Sequence, residues 1–127
     1  VPGYHVVTAE QPARDLADVP AVEVLGTTAL HLMSAAAVHL GLAEDLPEHR
    51  DLDEARALID GLAGLVAGAV PHLGHHHAAP LRDGLQALQR AFREASVLPD
   101  APGEGPGERF TGPVGPPAAA RPRPAST

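Results

Sequence analysis

The chain has 127 residues and a formal net charge of −7, from 16 acidic residues against nine basic ones, all arginine. That balance argues against general binding to nucleic acid or anionic membranes, which needs accumulated positive charge. With no cysteine, disulfides, a thiolate zinc site and a cysteine nucleophile are excluded.

The length allows one domain. Without its two ends about 80 residues remain, a size that buries only about 60 % of its unfolded surface and gains from association. Charge is unevenly spread: residues 1–60 hold eleven acids and three arginines, residues 61–127 five acids and six arginines. The first 18 residues carry no basic region followed by an apolar run and a small-residue cleavage site, so no secretory signal is expected. Residues 1–18 read as a flexible segment, with Tyr4 to Val7 able to dock as a short strand.

Asp18-Val19-Pro20 predicts the start of a first helix, with the acid as cap and the proline where a missing N–H costs nothing. From Val22 to Leu42 the pattern is apolar around much of the circumference. Leu25, Ala29, Leu32, Met33, Ala36 and Leu40 share one wide face, opposite Glu23, Thr27, His31 and Ser34. Val24 to Ala43 is a 20-residue run without formal charge, long enough to span a bilayer. His31, His39, the threonine pair Thr27-Thr28, the acidic flanks and the lack of lysine, arginine or an aromatic belt argue instead for a bundle helix.

Asp51-Leu52-Asp53-Glu54 predicts a capping box: Asp51 takes the Glu54 amide and Glu54 reaches back. The second helix then runs to Val70, where Pro71 stops it, with Leu58, Leu62, Leu65, Val66 and Ala69 as its core stripe. Ala57, Gly61, Gly64 and Gly68 form a strip about 60° wide beside that stripe. Each interior glycine costs up to about 1 kcal/mol, which points either to codon usage or to a groove receiving a neighbouring helix. The third helix, with Pro80 at its start, is the most amphipathic. Leu81, Leu85, Leu88 and Phe92 point inward, and Arg82, Asp83, Gln86, Gln89, Arg90, Arg93 and Glu94 outward. From Pro99 onward eight prolines and five glycines in 29 residues predict a disordered tail, so that removing it should cost the domain little.

Four histidines, His72, His75, His76 and His77, have spacing that would allow zinc or nickel ligation. No acid or thiol stands among them, and Pro71 and Gly74 predict a turn there, so exposed linker histidines are the competing reading. His31 and His39, about 12 Å apart along a helix, cannot share an ion within one chain. Ser34 and Ser96 lack a nucleophile elbow. The acids Glu44, Asp45, Asp51, Asp53 and Glu54 fit a linker and a cap. Gly103-Glu104-Gly105-Pro106-Gly107-Glu108 fails as a phosphate loop because it carries two acids, a proline without an N–H and no preceding strand. Arg82, Gln86, Arg90 and Arg93 make one modestly basic face, with an Arg90–Glu94 pair as its ordinary explanation. Pro116-Pro117 and Arg121-Pro122-Arg123-Pro124 fit polyproline II.

The stretches HLMSAAAVHLGL, DLDEARALIDGLAGLVAG, HHHAAPLRDGLQALQRAFREAS and PDAPGEGPGERFTGPV together resemble a small family, domain of unknown function eighteen-forty-four, in its high-GC Gram-positive bacterial form, over residues 20–114. The resemblance implies a helical, cytoplasmic protein without an assigned catalytic motif, and it counts against a membrane span. It places His76 and His77 in the turn before the third helix. Genes of such proteins often lie beside that for translation initiation factor three, which implies at most an association with translation.

The expectation is an all-α fold: a small three-helix bundle, a helical hairpin plus an amphipathic third helix, over residues 19–98, with a disordered Pro/Gly-rich tail over 99–127. The expected role is that of a cytoplasmic, non-enzymatic accessory protein without a cofactor. Its expected partners are itself, as a homodimer or larger assembly, and another protein, but not DNA or a membrane. Leu32, Met33, Gly61, Gly64 and Gly68 are the expected contact residues. Two alternatives stand: a metal-binding protein using the turn histidines, and an RNA- or ribosome-associated factor using the third helix.

Overall fold

A computed structural model describes residues 16–115. Tyr4 to Val7, Pro116-Pro117 and the arginine–proline end lie outside the described residues. Three long helices pack as expected: α1 (Ala21–His39), α2 (Leu52–Ala69) and α3 (His75–Ala95), followed by one helical turn, α4 (Glu108–Thr111). Among the described residues there is no strand.

Pro20 itself occupies the cap position of α1, and no side chain caps the helix. Asp18 therefore stands outside the helix rather than capping it. The first amides are met by the Pro20 carbonyl, which accepts from Glu23 at 3.0 Å and Val24 at 3.3 Å. The helix stops short of Leu42 because Gly41 adopts φ +80°. The Leu42 N–H then donates to Ala37 and the Gly41 N–H to Val38, both at 3.0 Å, a Schellman closure available to a residue without a Cβ.

Asp51 caps α2, its Oδ1 accepting from the amides of Asp53 at 3.1 Å and Glu54 at 3.2 Å. The reciprocal half of the capping box is taken over by tertiary structure, since the Asp51 N–H donates to the His39 carbonyl at 2.8 Å. Two short 3₁₀ turns, Pro47–His49 and Val70–His72, flank the helix. Its buried side is Ala55, Ile59, Leu62, Ala63, Val66 and Ala69. That stripe is rotated from the expected one: Leu58 and Leu65 are only half-buried, because α1 and α3 both press on α2 and centre its buried arc between them.

α3 begins at His75, one turn before Pro80, with the Gly74 carbonyl accepting from His77 and Ala78 at 3.0 Å each. Pro80 lies inside the helix, where the carbonyl it leaves unpaired belongs to the exposed first turn and is open to water. Leu81, Leu85, Leu88 and Phe92 are buried as expected, and Gln89, expected outward, is buried as well. Gly84 brings α3 close to α1: a Cβ there would lie 2.8 Å from both Sδ and Cε of Met33. The core is thus built largely from alanine and leucine, with Phe92 its one aromatic anchor.

Candidate functional site

The expectation of a structureless tail beginning at Pro99 is overturned for residues 100–115. They form a strap across α2 and α3, and Gly105, Pro106, Gly107 and Glu108 are buried. Arg93 organises it. Its Nε donates to Glu108 Oε2 at 2.7 Å and its Nη2 to Oε1 at 2.8 Å, while Nη1 and Nη2 donate to the carbonyls of Asp100 at 2.9 Å and Ala101 at 3.1 Å. Burial opposes charge on Glu108, but Arg93 and the backbone N–H groups of Gly103 and Val114 outweigh it and hold the carboxyl below its ordinary range. The bond from Glu108 in turn raises the Arg93 guanidinium above its usual value.

Four further ties reach the helices, one of them from Gln89 Nε2 to Thr111 Oγ1 at 3.0 Å. Gly107 N–H donates to Asp60 Oδ1 at 2.7 Å, Gln89 Nε2 donates to the Pro106 carbonyl at 3.1 Å, and Arg56 Nη2 contacts both carboxylate oxygens of Asp100 at 2.9 and 3.0 Å. Gly107 is required on two counts, with φ +74° and a would-be Cβ 2.8 Å from that of Ala63. Next to it the Phe110 ring lies over Gly64, where a Cβ would meet it at 3.4 Å.

The strap, α2 and α3 enclose a groove of about 540 Å³, with Val66, Leu85 and Phe110 on its walls and Arg82 and Asp83 at its rim. Arg93 and Glu108 do not line it and are spent on one another. Gln86, Gln89 and Thr111 join the apolar walls, and the groove is wide enough to take a side chain.

The four metal candidates are not assembled. His72 ends a 3₁₀ turn, while His75, His76 and His77 stand in the first turn of α3 rather than in a loop, all exposed. Consecutive helical positions diverge by about 100°. Among the described residues no three histidine, aspartate or glutamate side chains come together as an ion site. His39 is satisfied through Nδ1 on the His49 carbonyl at 2.9 Å, and His31 stands exposed on α1. The basic face of α3 is reduced too, because Arg93 turns into the strap.

The expected contact residues separate. Leu32 and Met33 pack against the core, Gly64 receives Phe110, and Gly61 and Gly68 are exposed with nothing within 4 Å of a would-be Cβ. The helix expected beside the glycine strip is thus replaced at Gly64 by an aromatic ring of the same chain. Among the described residues, nothing covers the outer side of α1. There a shallow depression is lined by Thr27, Leu30, His31, Ser34, Ala35 and Val38, with Leu30 61 % exposed. α1 is also long and apolar enough to cross a membrane, by length and composition only.

Taken together, these features define a three-helix bundle closed by a C-terminal strap. The chain belongs to the family described as a domain of unknown function (DUF1844), whose model matches residues 21–94. No curated protein and no solved structure matches it. The matched span ends within α3, so the strap packs onto the family domain from beyond it.

Proposed function

We propose that this protein is a non-enzymatic interaction module that self-associates through the outer face of α1. One observation carries this reading: Val24, Thr27, Leu30, His31 and Ser34, on the outer side of α1, are all exposed. The inner side of the helix, through Ala29, Ala36 and Leu40, is already committed to the bundle. Val24, Thr27, His31, Ser34 and Val38 recur at alternating spacings of three and four along the outer side, the seam by which a helix meets its own copy. Ser34 and Ala35 are small enough for close approach near the middle.

A second copy suits this face better than a lipid surface. α1 carries no lysine or arginine, whereas a helix lying on a membrane is usually rich in both on its polar side. The size of the face sets the strength. A helix about 28 Å long that presents half its circumference offers roughly 450 Å² per copy, or roughly 900 Å² for the pair, below the range of stable dimers. The expected dissociation constant is therefore on the order of micromolar.

Sedimentation equilibrium of the untagged protein from about 1 to about 100 µM is expected to show monomer and dimer in exchange. Leu30→Glu should leave only monomer with an unchanged melt, because Leu30 is mostly exposed and is no part of the core cluster. A wild type that stays monomeric throughout, or a Leu30→Glu protein that dimerises as well as wild type, would refute the reading.

A further inference from the structure

One end of the bundle carries a different surface. Arg50 joins its parts: the guanidinium Nη2 donates to the Ala95 carbonyl at the end of α3 at 3.0 Å, and the arginine stem lies 3.3 Å from a would-be Cβ on Gly41. The loop between α1 and α2 and the corner after α3 are therefore neighbours. Four large apolar side chains stand out from them into water: Leu42 (56 % exposed), Leu46 (37 %), Val97 (90 %) and Leu98 (83 %). Single exposed leucines are ordinary on a surface; an adjacent pair held nearly free of contact on a fixed corner is less so. That corner is held on both sides, by Ser96 Oγ donating to the Leu98 carbonyl at 2.8 Å and by Arg56 gripping Asp100.

The charge at this end selects what can cover it. Residues 44–54 hold Glu44, Asp45, Glu48, Asp51, Asp53 and Glu54, six of the chain's 16 acids, against Arg50 alone. All six are exposed, and among the described residues none is paired with an arginine. Nucleic acid and anionic lipid are repelled by such a surface. The same end of a second copy would set a like charge against it, at a cost.

We infer that this acidic, leucine-bearing end is the docking surface for a basic segment of another protein, an arginine- or lysine-rich stretch whose own apolar side chains cover Val97, Leu98 and Leu42. It lies apart from the outer face of α1 and does not depend on self-association.

The test uses the full chain and a fluorescent lysine–leucine amphipathic peptide of about 18 residues, read by anisotropy. A peptide of equal charge without leucine and an acidic counterpart serve as controls. The expected result is saturable micromolar binding of the first peptide only, weakened at least tenfold between about 0.05 and about 0.5 M salt. Replacing Val97 and Leu98 by serine should weaken binding about tenfold with an unchanged melt, and so should Glu44→Gln with Asp45→Asn and Glu48→Gln. Equal binding of the leucine-free peptide would reduce the effect to ion exchange and overturn the inference. So would full binding by the serine variant, or a loss of dimer in that variant by sedimentation, which would make the surface a self-contact. Sedimentation of Leu30→Glu reads the other face, so the two ideas fail separately.

Discussion

Glu108 sits where apolar surroundings disfavour charge, yet two guanidinium N–H groups and two backbone N–H groups meet its oxygens. A buried pair of this kind adds little over a well-packed apolar substitute, but it is costly to break on one side. Glu108→Ala is therefore expected to destabilise the protein by about 3–5 kcal/mol in urea titration, and Glu108→Gln, which keeps the shape, by less. The pH dependence follows from the direction of the shift. Because the folded carboxyl titrates below its ordinary value, its contribution is complete above about pH 4.3, the unfolded value, and is lost as pH falls through the lower folded one. The stability gap between wild type and Glu108→Gln should thus stay constant from about pH 8 to about pH 5 and narrow below about pH 4. A gap that widens with acid would mean that the pair does not govern the strap.

Among the elements, α2 and α3 were the most legible in sequence. Asp51 announced its cap, and Leu81, Leu85, Leu88 and Phe92 their buried face. The start of α3 was misread because Pro80 was given the first-turn position, when the Gly74 carbonyl opens the helix a turn earlier. The strap was missed for a compositional reason: proline and glycine density resembles disorder. In this segment, however, Gly107 supplies a left-handed turn against Ala63, and Pro106 needs only its carbonyl, which Gln89 meets. One of the two acids that disqualify a phosphate loop, Glu108, carried the missed signal, standing fifteen residues beyond Arg93 on α3. A chain ending at Leu98 is now expected to lose several kcal/mol of stability, since it leaves Asp60, Gln89 and Arg93 without partners. Dye binding should reveal the uncovered α2 and α3 surface. An unchanged melt for the shortened chain would show that the strap contributes nothing.

Across the described residues, an uncharged apolar face and an acidic apolar end stand at different places. The uncharged outer face of α1 serves the proposed self-contact, and the acidic end bears the exposed leucines and valine. Both the surplus apolar character of the first helix and the side the bundle leaves open, with Thr27, His31 and Ser34, were readable from sequence; the close approach of Met33 to Gly84 on the inner side was not, because it depends on how α3 lies across α1. The difference in charge between them predicts opposite responses to salt. Two copies with a net charge of −7 each repel one another through water while meeting at an uncharged seam. Raising salt from about 0.05 to about 0.5 M should therefore strengthen dimerisation modestly in sedimentation equilibrium, as it weakens the basic peptide. Dimers that dissociate with salt would point to charged contacts in place of the α1 seam.

The strap also sets an order in time. Asp60 accepts from an amide 47 residues further along the chain, which at ~5–20 residues per second of synthesis arrives roughly 2–9 s later. α3 ends at Ala95, thirteen residues before Glu108, so for the last ~0.6–3 s of that interval the newborn domain has its helices but not their cover, and Ala63 and Gly64 lack the residues that pack on them. Neighbouring nascent chains would then meet a second, temporary apolar surface until the Arg93–Glu108 closure withdraws it, leaving the face of the proposed α1 contact.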